Sequence, residues 1–323
     1  MKTLIAQIYE QGKFHDVAHK QKRGLREAFA RRGATMDWDY LADPAEYRYN
    51  ILLTRLDDFK PDLVFTQFHA ADVITAEQMR MLRYAYPDVT WVNWSGDSWA
   101  WSLTAPAMLE LARQFDLWLV CAPDTLPVYA EQGINAKFWQ IAYEHPLTPL
   151  PDMPTYDVVF LGNVISEPRR RLLEWLRDQR DYTVGIYGDW SEADGHNTYA
   201  FDEGEALYRN ATIAIADAAY PDQRAYISNR PFHIGAAGGA ILLHQYVERM
   251  DVLSGFTNGK HYVEWRDLDD LAGLIRDWMQ PERTEERARI AKAAREFVLR
   301  WHTWERRAEQ LLQWVEELQE ERV

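Results

Sequence analysis

The chain has a single cysteine, Cys121, among 323 residues, so no disulfide can close within it and no cysteine cluster can hold a metal. Its apolar runs fall short of the roughly 18 residues a membrane span requires. The opening MKTLIAQIYEQGK has one brief apolar stretch and no small-residue cleavage site, so it is expected to be a first β-strand and not a signal peptide. Positive charge is in deficit, with 36 Lys/Arg against 50 Asp/Glu, and a net charge of −14 argues against a protein that coats nucleic acid. No tandem repeat of short fixed period appears. No acid-rich metal motif appears either: the lone Asp-x-Asp, Asp37-Trp38-Asp39, falls inside an apparent strand. The simplest expectation from these absences is a soluble cytoplasmic protein.

What is present is apolar and aromatic material enough for two cores, at 47% and 13% of residues. Strand-like and helix-like stretches alternate from the start: TLIAQIY, then DVAHKQKRGLREAFARRG, then ATMDWDYL, and so on through PDLVFTQF, VTWVNWS and DLWLVCA. The segment EHPLTPLPDMPTY, with four prolines, cannot continue a sheet and suits a connection between domains. The alternation then restarts with YDVVFLG, EPRRRLLEWLRDQ, YTVGIYG, ATIAIAD, SNRPFHIGAA and AILLHQ. From Glu282 onward the pattern is almost wholly helical, with a break expected near Trp301–Thr303. The expected fold class is α/β, two Rossmann-like domains with mostly parallel sheets covered on both faces. The expected bounds are 1–148, 149–300 and a terminal helix at 301–323. Ligands of such sheets bind at the carboxyl ends of the strands, so the loops there hold the candidates.

In the second half, Gly162-Asn163 ends one strand and Gly188 another, positions where backbone can approach a ligand closely. Arg169, Arg170 and Arg171 follow in the next helix and could attract phosphate, although glycine turns and solvated arginines are ordinary features. SNRPFHIGAAGGAILL is more specific. Ser228 or Asn229 is placed to cap a helix, and Pro231 suits its first turn. Arg230 would add full charge beside free amides, a combination that fits a diphosphate. His233, one turn in, could reach a sugar hydroxyl, and Gly238-Gly239 permits a tight turn into the next strand.

Taken in order, NRPFHIGAAGGAILL, GFTNGKHYVEWRDLDDLAGLI and ERARIAKAAREFVLRWHTWERRAEQL resemble the corresponding segments of spore-maturation-type (CgeB-like) glycosyltransferases, within the group-1 superfamily of the GT-B fold. YDVVFLGN and VGIYGDW match the paired strand–glycine motifs of that family. The resemblance runs from about 155 to 310 and is loose before that. It implies two facing domains, with a nucleotide-diphosphate sugar, most simply a UDP-sugar, on the C-terminal one and the acceptor on the N-terminal one. It also implies a final helix crossing back to the first domain and transfer without a metal, the leaving diphosphate being neutralised by a helix terminus and basic side chains. His233 stands where the family has a glutamate, and an imidazole cannot clamp two hydroxyls as a carboxylate does.

In the first half, Gly12 is a candidate for the donor and His15, Lys20 and Trp99 for the acceptor. Asp97 in NWSGDSW is the preferred catalytic base and His69 the second, if transfer inverts the sugar. Trp94, Trp99 and Trp101 could stack on sugar or fill core. Residues 13–32 carry seven Lys/Arg and two acids, which fits either a solvated helix face or a surface for an anionic acceptor such as hydroxymethylated DNA. A glycan or small-molecule acceptor fits the sequence equally. A non-catalytic nucleotide- or sugar-binding protein and a sugar-nucleotide epimerase are the alternatives to a transferase.

Overall fold

The computed structural model describes residues 1–7, 20–96, 104–143, 145–146, 149–196, 198, 202–218 and 225–322. They divide into two compact units, Met1–Ile141 with Trp304–Val323, and Ala142–Thr303.

The first unit is built on a six-stranded parallel sheet in the order β2-β1-β3-β4-β5-β6. Its strands are β1 (Lys2–Gln7), β2 (Ala34–Asp39), β3 (Leu63–Thr66), β4 (Thr90–Ser95), β5 (Leu117–Val120) and β6 (Ala136–Phe138). The helices are α1 (Lys20–Ala30), α2 (Arg48–Phe59), α3 (Ala76–Ala85), α4 (Pro106–Ala112), α5 (Leu126–Glu131) and, from the end of the chain, α12 (Trp304–Glu320). β5 is apolar throughout and β3 is apolar but for Thr66, and both are fully buried, as strands covered on both faces require. A capping box of Thr75 and Gln78 starts α3. One face of the sheet packs Leu4, Val64, Trp91 and Trp118 against α2, α3 and α4. On the other face Phe65 meets Phe29 of α1, and Trp94, Trp139 and Trp304 form a mutual cluster with ring centroids 5.4–5.8 Å apart. That cluster explains why α12 belongs here: Trp304 supplies its third indole, and the Trp139 indole N–H donates to the Arg307 carbonyl at 3.3 Å.

The second unit has a five-stranded parallel sheet, β11-β10-β9-β7-β8. The strands are β7 (Val158–Leu161), β8 (Val184–Tyr187), β9 (Ile213–Ala216), β10 (Ile241–Gln245) and β11 (Val263–Trp265). Around them lie α6 (Glu167–Arg177), α7 (Asp202–Asn210), α8 (Arg230–Ala237), α9 (Met250–Ser254), α10 (Leu268–Trp278) and α11 (Thr284–Trp301). All eight residues of α8 are buried, which accounts for its small side chains. At Gly235 an added Cβ would stand 3.0 Å from a Val298 methyl of α11, so glycine is what lets these two helices approach. The helical break expected near Trp301–Thr303 is present, with α11 ending at Trp301 and α12 beginning at Trp304.

Both sheets have the same winding. In each, the first strand of the unit lies between its second and third, so the chain direction of travel reverses there: between β1 and β3, and between β7 and β9. Such reversal points open a crevice at the carboxyl ends of the strands and are where doubly wound sheets bind ligands.

Candidate functional site

At the reversal point of the second unit, β7 and β9 pair only through Val158 and Val159. Beyond those residues the strands are no longer laddered, and the Leu161 carbonyl is left for a side chain. Arg230, at the start of α8, takes it: Nε donates to Leu161 O at 2.7 Å and Nη1 to Asp217 Oδ1 at 2.7 Å. Asp217 is the residue just after β9. Its carboxylate is also gripped by Arg169 of α6, from Nε to Oδ2 at 2.7 Å and from Nη2 to Oδ1 at 2.8 Å, the two-point geometry that suits a guanidinium. Arg169 Nη1 donates in turn to the Asn163 carbonyl at 2.8 Å. Both guanidinium groups lie near the Phe160 ring, Arg230 at 4.7 Å and Arg169 at 5.7 Å from its centroid.

Three residues separated by 48 and 13 positions thus make one buried cluster, with side-chain exposures of 3% for Arg169, 4% for Asp217 and 7% for Arg230. Burial alone would raise the Asp217 pKa. The charges of Arg169 and Arg230, with their hydrogen bonds, outweigh it and hold the carboxyl below its ordinary value, so it is ionised. Burial, then repulsion from Arg169, pull Arg230 below its ordinary value against the attraction of Asp217. A guanidinium remains charged through such a change. Two cations share one anion, and the cluster carries a net positive charge out of water.

His244, near the end of β10, lies beside this cluster and is 1% exposed. Burial lowers its pKa to about 4, a hydrogen bond to the Gln245 carbonyl opposes the fall, and the Arg230 charge adds to it. The ring is therefore neutral at ordinary pH. A carbonyl can only accept, so Nδ1 carries the proton, and Nε2 presents a bare lone pair with no partner among the described residues.

The glycines expected at strand ends meet here. Gly162 N donates to Tyr187 O at 2.8 Å, and a Cβ at Gly162 would run into Arg230 Nη2. At Gly188 a Cβ would strike the Gly162 carbonyl, and the Asn163 side chain accepts from the Asp189 amide at 3.0 Å. Gly162, Asn163, Arg169, Gly188 and Arg230 are accordingly one neighbourhood. Arg230 Nη2 is the guanidinium nitrogen for which no partner exists among the described residues, and it faces Gly162.

Other expected residues stand elsewhere. Arg170 and Arg171 are exposed and pair with Glu167 on their own helix, because only Arg169 of the three lies on the inward face of α6. Asn229 is the N-cap of α8 but its side chain makes no capping bond, since its own backbone is already helical (φ −72°, ψ −18°). Ser228 Oγ is buried and likewise caps nothing. His233 is buried with its ring edge-on to Tyr143 at 5.7 Å, and the Tyr143 hydroxyl donates to Glu205 at 2.8 Å. Gly238 and Gly239 lie at the other end of α8 from Arg230. Gly238 ends the helix in the left-handed conformation (φ 68°) under the Arg295 side chain, and a Cβ on Gly239 would strike the Arg209 backbone. Theirs is a packing role, about 12 Å along the helix from the cluster.

In the first unit His69 follows β3 and is half-buried. Trp94 is core, 4% exposed within the tryptophan cluster. Gly12, His15, Asp97, Trp99 and Trp101 lie outside the described residues, and of Lys20 only its place in α1 is described. Among the described residues no three His, Cys, Asp or Glu side chains group as a metal site, and no helix is long and apolar enough to cross a membrane. The described arginines of the basic stretch meet acids of their own unit: Arg26 meets Asp37, Arg31 meets Glu27 and Glu305, and Arg32 meets Glu305 and Glu309. Two site residues, Asp217 and His244, were not among the sequence candidates.

A family model described as glycosyl transferase-like matches residues 169–313, a span that contains Arg169, Asp217, Arg230 and His244. The chain is similar in structure to a sucrose-phosphate synthase from Thermosynechococcus elongatus, with a TM-score of 0.67 at 14% identity over 98% of this chain and 99% of that one. It is similar to Anabaena HepE, solved in complex with UDP-glucose, with a TM-score of 0.64 at 12% identity over 98% and 100%. A UDP-forming α,α-trehalose-phosphate synthase from Burkholderia xenovorans gives 0.56 at 11% over 98% and 99%. No curated protein matches the sequence. The fold class is the expected one, two Rossmann-like parallel-sheet α/β units shared with glycosyltransferase structures. The narrower spore-maturation type is carried by the sequence motifs alone.

Proposed function

We propose that this protein is a glycosyltransferase that takes a sugar from a nucleotide-diphosphate donor, UDP-linked in the simplest case, and passes it to an acceptor hydroxyl without a metal. The observation that carries the reading is the buried Arg169–Asp217–Arg230 cluster with one uncompensated positive charge. An unpaired charge out of water is costly, so a site built this way is incomplete until an anion arrives. A diphosphate over Gly162 would meet Arg230 Nη2, and the same charge would stabilise it as the leaving group when the glycosidic bond to the sugar breaks. Gly162 lets Arg230 close over it and Gly188 lets the two strand ends meet, and the His244 Nε2 lone pair suits a hydroxyl of the ribose or sugar. HepE was solved with UDP-glucose and the trehalose-phosphate synthase is UDP-forming, which supports UDP as the first donor to try.

In this reading the second unit holds the donor and the first holds the acceptor. Asp97 or His69 would receive the acceptor proton if the sugar is inverted. The test is a thermal-shift panel of UDP, GDP, ADP and their glucose esters, followed by the Arg230→Lys variant. A ligand that binds only the folded form raises Tm, and UDP is expected to do so. Lysine keeps the charge but not the fork, and the nucleotide affinity is expected to fall by about tenfold or more. If no nucleoside diphosphate raises Tm, or Arg230→Lys binds as the parent does, the cluster is structural and the reading fails. Release of nucleotide on incubation with a donor and candidate acceptors separates transfer from mere binding.

A further inference from the structure

The reversal point of the first sheet carries a second set of polar groups, and it differs in kind from the first. By the ladder registers Ala6↔Thr66 and Thr66↔Asn93, the next residues Gln7, Gln67 and Trp94 lie side by side across β1, β3 and β4 on one face, with Asp39 of β2 opposite Gln7. The Gln67 amide donates to the Ala6 carbonyl at 2.9 Å, which extends the pairing to this row. Gln7 is 1% exposed, and neither its Oε1 nor its Nε2 has a partner among the described residues. Gln67 Oε1 and Trp94 Nε1 are buried without one, as is Nε1 of Trp304, whose ring sits 5.6 Å from Trp94. A point just off the Gly96 Cα would touch both Gln67 Nε2 and the Trp94 ring, so these two groups converge.

Buried polar atoms are nearly always hydrogen-bonded, and four such atoms in one row, with a fifth on Trp304 of α12 beside it, mark a candidate binding site at a position where doubly wound sheets hold ligands. Amides offer donors and acceptors together, indoles add donors and a flat apolar face, and Asp39 adds an acceptor. Among the described residues the row holds no cation. The described arginines of α1 nearby are paired with acids, Arg26 with Asp37 among them. A phosphate can only accept and would meet Asp39 as a like charge, whereas a sugar hydroxyl both donates and accepts.

We infer that this row binds the acceptor, and that the acceptor is an uncharged, hydroxyl-rich carbohydrate, not a sugar phosphate or a nucleic acid. The inference rests on the transferase reading above, and names the substrate class of its other half. The row would hold the ring by neutral hydrogen bonds, with the unpartnered Trp94 and Trp304 N–H groups as donors to ring or hydroxyl oxygens.

The experiment uses the full chain with 15N-labelled tryptophan and follows the indole N–H signals of Trp94 and Trp304, assigned with Trp94→Phe and Trp304→Phe. The probes are glucose and maltose, glucose 6-phosphate, and a short single-stranded DNA. The neutral sugars are expected to move both signals, and Gln7→Met or Gln67→Met to weaken that binding by about tenfold each. Gln7→Met removes a buried amide with no partner at either end among the described residues, and Gln67→Met one whose buried carbonyl oxygen has none, so Tm is expected to hold or rise, and loss of folding cannot imitate loss of binding. The inference is overturned if glucose 6-phosphate or DNA moves the signals where glucose does not. It is overturned equally if no probe moves them, or if sugar binding survives both methionines, which would make the row a seat for fixed water or plain packing. UDP raising Tm while no sugar moves the indoles sinks the acceptor inference alone. Sugar binding without any nucleotide effect sinks the donor reading alone.

Discussion

Two arginine clusters in this protein have similar parts and opposite settings. Arg31, Arg32 and Arg306 meet Glu27, Glu305 and Glu309 where α1 packs on α12, three cations to three anions, with Arg31 58% and Glu309 45% exposed. Arg169 and Arg230 share Asp217 alone, and all three are at most 7% exposed. Water screens the first cluster and its charges balance, so it adds little stability and attracts little. The second is dry and unbalanced. Charge density by itself does not mark a binding site; imbalance where solvent is excluded does.

That contrast can be broken most decisively at Asp217. Asp217→Asn leaves two buried cations facing each other with no counter-charge, and a loss of roughly 3–5 kcal/mol in unfolding free energy is expected. Pyrophosphate or UDP should recover part of it by supplying the missing anion. Urea unfolding with and without 10-fold-Kd ligand, or about that excess, measures both. A variant as stable as the parent would show that the cluster is no electrostatic unit.

Next in size is the pH response of His244. Its folded pKa of about 4 lies below the ordinary 6.5, so between those values the unfolded chain binds the extra proton. Its contribution is fully present above about pH 6.5 and is lost as pH falls towards 4, a change of roughly 3 kcal/mol across the window. His244→Gln should flatten that part of the stability profile. The smallest effect belongs to the exposed cluster. Glu305→Gln is expected to cost no more than about 1 kcal/mol, and less at high salt, with no change in nucleotide binding. An effect on nucleotide affinity as large as that of Arg230→Lys would erase the distinction between the clusters.

Much of the architecture could be read from pattern. Strand–helix alternation, the proline-rich connection and the helical break before Trp304 all follow from local periodicity and turn chemistry. Arg230, Arg169 and the glycines at 162 and 188 were legible because strand ends and a helix start are where such residues bind ligands. Asp217 was not, since one acid after four apolar residues looks like any strand terminus, and its meaning arises only when α6, β9 and α8 bring three loops together. His244 was hidden by position inside AILLHQ, where it counts as one more strand residue. The basic run at 13–32 was left open for the converse reason: the counter-ions of Arg31 and Arg32 arrive from Glu305 and Glu309, over 270 residues away. Gly238 and Gly239 were part of a recognisable motif, yet that motif records helix termination as well as ligand contact.

The place of α12 bears on how the chain matures. Residues 142–303 hold every element of the second unit, whereas the unit of residues 1–141 is complete only with Trp304 and its helix, made last. At ordinary elongation rates the interval is on the order of 10–30 s. Through that time Trp94 and Trp139 lack their third indole, and the sheet made first is the one finished last. A nascent chain stalled before codon 304 should therefore present a protease-resistant second body beside a first one still open to cleavage.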